Sequence, residues 1–386
     1  MSAHALQGKY ERAAAIISRQ GVIPLPVSGT TISILRNVIE DHEDELDLIC
    51  AFDRKSSQTM EELKGSSRLS EERIDELTGR LARKGLLFNQ PSSAGAMVFR
   101  LLPLMTVGLL EYRFMGKLKG DEKERELAGL FEELMAEVGG LLQTNYDAML
   151  PLLAQMPPVD RTVPPASSQA GRPIRVIPLN REMAAPVETI VPSQKVEEII
   201  RKFDEIAVGH CFCRQRQATL GRPCRTEAPL LNCFSFGKSA RHTVAQGFAE
   251  PVTREEALRI MREAEEAGLV HKAFHPGSNV DRPETSICNC CKDCCDTVGL
   301  WRKGALPMIN ATYFLSVIDP ETCSGCGACV DRCFTDAISL DDAGKAVREE
   351  GRCIGCGVCA RFCPEGAVSL QEGFRKVFLP PPRMGK

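Results

Sequence analysis

The stretch CIGCGVCARFCP, residues 353–364, sets four cysteines into eleven residues at the spacing C-x2-C-x2-C-x3-C. At these intervals the first three sulfurs can converge on one compact inorganic core while the fourth points away. Thirty residues earlier, CSGCGACVDRCF sets Cys323, Cys326, Cys329 and Cys333 at the same offsets. The match runs past the cysteines, because AISL (337–340) recurs as AVSL (367–370). The chain carries an internal duplication.

A pair of zinc knuckles is the competing reading, but zinc ribbons draw on separated C-x2-C pairs, and a third cysteine at the same short interval fits them poorly. Gly325, Gly327, Gly355 and Gly357 free the backbone to wrap tightly and to turn N–H groups toward sulfur. Two [4Fe–4S] clusters are therefore expected. Over roughly the last 70 residues the sequence resembles the dicluster ferredoxin family. That resemblance assigns Cys323, Cys326, Cys329 and Cys363 to one cluster and Cys353, Cys356, Cys359 and Cys333 to the other. Phe334 stands where the family usually has the proline seen here at Pro364, which alters a turn without removing a ligand.

The 386 residues are enough for two to four domains, and a net charge of −3 offers no global basic field to nucleic acid or anionic lipid. The longest apolar run, Leu101–Leu110, is too short to span a bilayer, and the first residues show no signal-type apolar segment. A cytoplasmic protein is expected. Eighteen cysteines in a reducing compartment argue for metal ligation over disulfides.

The N-terminal third predicts helix, helix, helix, hairpin. Residues 28–40 place Ile32, Leu35, Val38 and Ile39 on one face. Thr59 and Glu62 have capping-box spacing, and Ser70 caps a helix whose Ile74, Leu77 and Leu81 share a face before Gly85 stops it. This is the order of a winged helix. The start of its third helix, however, offers Glu71, Glu72, Asp75 and Glu76 against Arg73, a poor surface for a polyanion, so docking is favoured over nucleic-acid reading. Residues 121–150 read as an amphipathic helix, with Leu127, Leu130, Phe131, Leu134 and Val138 at helical spacing. The proline-dense stretch 151–175 reads as an extended tether, and Cys50, the lone cysteine before it, as a buried structural thiol.

A second cysteine field follows a strand in GRPIRVIPLN and a helix capped by Ser193. It comprises Cys211, Cys213, Cys224, Cys233, Cys288, Cys290, Cys291, Cys294 and Cys295, with a helix capped by Thr253 between its halves. Converging thiolates repel one another unless a metal neutralises them. Neither zinc-finger nor haem c spacing fits. Three readings stay open: one or two further iron–sulfur clusters, structural zinc, or a redox-active thiol or disulfide site. His210 is a candidate ligand or a core histidine, and Arg214 a candidate donor to a cluster sulfide. Taken together, the modules resemble multidomain 4Fe–4S ferredoxin-type proteins of anaerobic bacteria and archaea. The closing ICNCC run of those proteins carries another cysteine where this chain has Asp293.

The expected fold class is α+β. It comprises a winged-helix-like N-terminal module (1–110), a helical extension (111–150), a linker (151–175), a cysteine-rich α/β central domain (176–305) and a dicluster ferredoxin fold (306–386). The expected function is single-electron transfer to or from a partner, a flavoprotein or metallo-oxidoreductase, with no catalytic residue of its own. No G-x-G-x-x-G, P-loop or flavin fingerprint is present. The alternatives are an iron–sulfur redox sensor that regulates transcription, and a reductase with an open-site cluster in the central domain.

Overall fold

Local sequence signals set the helix starts. Thr59 and Glu62 form the expected capping box, and the Ser70 hydroxyl accepts from the Arg73 N–H at the head of helix Glu71–Arg83. Gly85, with φ +83°, follows the end of that helix in a conformation that favours glycine. The computed structural model describes residues 3–21, 24–40, 42–92, 94–178 and 195–384. Ser193 lies outside them, and the described helix there begins at Val196.

The chain divides into two compact units, and the division does not follow the expected boundaries. The first unit holds residues 1–140, together with 212–223 and 240–250. Its helices include Ala3–Ser18, Gly29–Ile39, Glu43–Cys50, Met60–Ser67 and Glu71–Arg83. Strands β1 (Ser57–Thr59), β2 (Leu87–Pro91) and β3 (Met97–Leu101) form an antiparallel sheet in the order β1-β3-β2. Leu35, Val38, Ile39, Ile74, Leu77 and Leu81 are buried as their spacing predicts; Ile34 takes the deep position in place of half-buried Ile32. Cys50 is half-buried, and burial raises its thiol pKa. The amphipathic helix runs Glu122–Thr144, shorter than expected, and a new helix, Tyr146–Gln155, includes Pro151.

The second unit comprises 141–211, 224–239 and 251–386. Its strands are β4 (Asp160–Val163), β5 (Val176–Ile177), β6 (Ile206–His210), β7 (Leu231–Phe236), β9 (Val270–Phe274), β10 (Ser286–Cys290), β11 (Met308–Ile318) and β14 (Val368–Leu379); β8 (Glu250–Pro251) falls where the chain leaves the first unit. The sheet runs β5-β14-β11-β4-β9-β10-β7-β6. Strands β12 (Ile338–Leu340) and β13 (Ala346–Arg348) pair separately.

This order corrects the sequence reading of 151–175. The stretch is not a tether: β4 lies within the sheet, parallel to β11 on one side and antiparallel to β9 on the other. All four of its residues are buried. Their polar side chains find partners far along the chain, although Asp160 Oδ1 has none among the described residues. Asp160 accepts from the Lys272 ammonium at 2.6 Å, Arg161 donates to Glu284 at 2.8 Å, and the Thr162 hydroxyl donates to the Ile354 carbonyl. Pro164 and Pro165 are buried too, and a Cβ on Gly357 would lie 2.7 Å from Pro164 Cβ. The expected boundary at 305/306 also disappears, because residues from both sides share one sheet. Trp301, buried beside that boundary, donates its indole N–H to the Pro380 carbonyl at 2.9 Å.

In the first unit His242 is fully buried against Phe88, Tyr112 and Phe248, with ring centroids 4.5, 5.5 and 6.4 Å away. Neither ring nitrogen has a hydrogen-bond partner among the described residues. Burial, with a smaller contribution from Arg100, lowers its pKa from 6.5 to about 4. Because the unfolded chain takes up this proton first, stability falls as pH drops below the unfolded value. Between pH 7 and 5 the unit should lose up to about 2 kcal/mol. Hydrogen exchange of helix Glu71–Arg83 across that range reports the loss, and His242→Phe should remove the pH dependence.

Candidate iron–sulfur centres

The duplicated cysteine loops wrap two cavities. Cys323, Cys326, Cys329 and Cys363 line one, with Ile318, Ala346 and Val368. Cys333, Cys353, Cys356 and Cys359 line the other, with Phe334, Ile338 and Ile354. The fourth cysteine of each run lines the cavity of the other copy.

Backbone geometry suits an anionic cluster. Gly327 and Gly357, at φ +77° and +72°, precede the short helices Ala328–Arg332 and Val358–Arg361. Four residues past each crossing cysteine an N–H donates to its sulfur, Ala337 to Cys333 at 3.1 Å and Ala367 to Cys363 at 3.2 Å. Burial raises the Cys356 thiol to about 12 and, with the neighbouring thiols, lifts Cys359 well above its usual value. A metal that replaces these protons relieves that cost. The donors, the apolar walls and the N–H···S bonds all fit a [4Fe–4S] group in each cavity, where it would supply one-electron redox chemistry.

One apolar core contains Cys329 and Cys359, with Cys323, Cys333 and Cys363 packed against it, so ligands of both cavities share a single core. A second core joins the duplicated region to the other cysteine field. It holds Cys290 and Cys295 together with Trp301, Phe334 and Ile354, and Cys288 and Cys356 pack on it. The Lys272 ammonium is buried nearby, 5.8 Å from the Phe334 ring centroid. Burial opposes its charge, but Asp160 and the thiols Cys290 and Cys295 outweigh burial and raise its pKa.

The nine cysteines expected to act together are sorted by the fold. Cys233 and Cys288 lie 3.8 Å apart across β7 and β10. Cys288 also hydrogen-bonds Cys290, which hydrogen-bonds Cys295; these bonds and burial push the Cys290 thiol well up. Cys211 is near enough to Cys288 to influence its charge. Cys224, Cys291 and Cys294 form a separate trio. Cys213 is buried on helix Phe212–Thr219, within the first unit. His210 ends β6 half-buried, and Arg214 is buried on that same first-unit helix.

The polar contacts of β4 escaped sequence reasoning, because Asp160–Val163 has neither alternation nor an apolar run. Gly355 shows how tight the second cavity is: at φ +63°, a Cβ there would lie 2.1 Å from the Phe314 carbonyl oxygen. Gly355→Ala should displace this loop and cost about half of the cluster iron, since one cavity of two is disturbed. Gly351→Ala, where nothing stands within 4 Å, should leave iron unchanged. Iron analysis of the two variants decides.

Among known proteins, a family model described as a 4Fe-4S dicluster domain matches residues 322–368, which contain all eight of these cysteines. No curated protein and no solved structure matches the chain. Over these residues the chain is thus similar to 4Fe-4S dicluster domains.

Proposed function

We propose that the protein is an electron carrier that passes single electrons through two [4Fe–4S] clusters to or from a partner oxidoreductase, in anaerobic metabolism. Cys323, Cys326, Cys329 and Cys363 hold one cluster, and Cys353, Cys356, Cys359 and Cys333 the other. The crossing of Cys333 and Cys363 between cavities is the single observation that carries this reading. The chain's own part is to hold the clusters in a shared apolar core and to tune them through N–H···S bonds and burial. The thiol group Cys233, Cys288, Cys290 and Cys295 adds a further redox station, joined to the second cluster by the core around Phe334 and Ile354.

The N-terminal module, winged-helix-like in its order of helices and strands, serves docking. In helix Glu71–Arg83 the residues Glu71, Glu72, Asp75 and Glu76 are exposed. The cations near them are already paired: Arg80 lies 2.9 Å from both Asp44 and Glu45, Arg73 pairs with Asp44 and Glu76, and Lys84 lies 2.6 Å from Glu45. Such a surface suits a basic protein patch better than a phosphate backbone. No helix among the described residues is long and apolar enough to cross a membrane.

Anaerobically purified protein should contain at least about eight iron and eight sulfide per chain and accept electrons reversibly from a chemical reductant. Cys329→Ser/Cys359→Ser should remove both cluster EPR signals. A folded double variant with unchanged signals would overturn the assignment.

A further inference from the structure

Three cysteines of the central field converge in a way that the paired cavities do not. Cys224, Cys291 and Cys294 bring their sulfurs within 4.8 Å of one another, and Cys224 and Cys291 are 3.7 Å apart. No other three thiols among the described residues come so close. Three sulfurs this close suit a single ion. Four ligands placed tetrahedrally around an ion with a metal–sulfur bond of about 2.3 Å have neighbouring sulfurs about 3.8 Å apart. Thiolates on a cubane bind four different irons and stand further from one another, as the duplicated loops allow. A disulfide would need a separation of about 2.05 Å, far shorter than the 3.7 Å between Cys224 and Cys291.

The surroundings have the features of a built site. Cys291 and Cys294 form a C-x2-C pair, spaced as in zinc knuckles. Spacing arguments applied to the whole field missed it, because Cys288, Cys290 and Cys295 crowd the same run. The Cys294 N–H donates to Cys291 Sγ at 3.1 Å, a backbone bond that stabilises charge on the sulfur. Cys291 and Cys294 are buried beside Ala264 and Leu269, and Cys224 packs against them with partial exposure.

Asp293 clamps the two chain segments together. Its carboxylate accepts from the Arg225 N–H at 2.8 Å and from the Arg225 guanidinium at 2.7 and 3.1 Å, which ties Cys224 to the closing loop. Asp293 thus positions the trio through Arg225, the neighbour of Cys224. Three thiolates on a divalent ion leave a net charge of −1, and the Arg225–Asp293 pair beside them is itself neutral.

We propose that Cys224, Cys291 and Cys294 bind one tetrahedral, thiophilic divalent ion of the zinc class, with a small donor from solvent completing the shell. The site is mononuclear and separate from the two clusters, and it does not depend on how many clusters the other thiols hold.

The test uses the full chain, purified anaerobically, exposed to Zn2+ alone and then desalted. Wild type should retain one zinc per chain. Cys224→Ser and Cys291→Ser/Cys294→Ser should each lose it, with iron unchanged, while Cys233→Ser keeps it. Zinc X-ray absorption of the wild type, which needs no variant to fold, should show three sulfurs at about 2.3 Å and one lighter donor. Wild type that retains no zinc, a shell with fewer than three sulfurs, or variants that lose iron along with their cluster signals would overturn the proposal.

Discussion

The buried pairing of β4 with its two neighbours is the constraint on which the second unit depends. Asp160–Val163 joins the β14-β11 ribbon that carries the duplicated cysteine loops to the β9-β10-β7-β6 portion that carries most of the other cysteines. The Asp160–Lys272 ion pair holds its register. A buried pair of this kind adds little over an apolar alternative, but losing one partner costs about 3–5 kcal/mol, so it penalises any other alignment. With β4 in place, Pro164 and Pro165 close against Gly357, and β5 adds to β14 beside Leu370 and Gln371.

The arrangement has a redox consequence. Electron tunnelling falls steeply with distance, so carriers gain from fixed spacing. Here the spacing is fixed by sheet and core together: Cys329 and Cys359 share one apolar core, and Cys290 and Cys295 share another with Phe334 and Ile354. Phe334 is fully buried; it lines the second cavity, and the Lys272 ammonium stands 5.8 Å from its ring centroid.

The cluster loops were legible because their chemistry is local. Ligand intervals, the glycines that permit the wrap and the repeated AISL/AVSL segments all lie within short windows, and the cavities follow from them. The caps at Thr59 and Ser70 were legible for the same reason. Two things were not. Asp160, Arg161 and Thr162 are polar, and they become a buried strand through Lys272, Glu284 and the Ile354 carbonyl, partners more than a hundred residues away. The grouping of the central thiols was hidden as well, since adjacent Cys290 and Cys291 point into different clusters of side chains, one with Cys295 and one with Cys294. Alternation along β10 and the turn after it separate what the sequence crowds together.

The central claim is that residues 160–163 are an interior strand that makes one redox unit of the two cysteine regions. Hydrogen–deuterium exchange on the anaerobic, iron-loaded chain tests it most directly. Amides in Asp160–Val163 should be protected to the same degree as those of Asn310 and Ala311, their partners in β11, because both exchange only when the sheet opens. Complete exchange of 160–163 within seconds, while β11 stays protected, would show a tether and contradict the account.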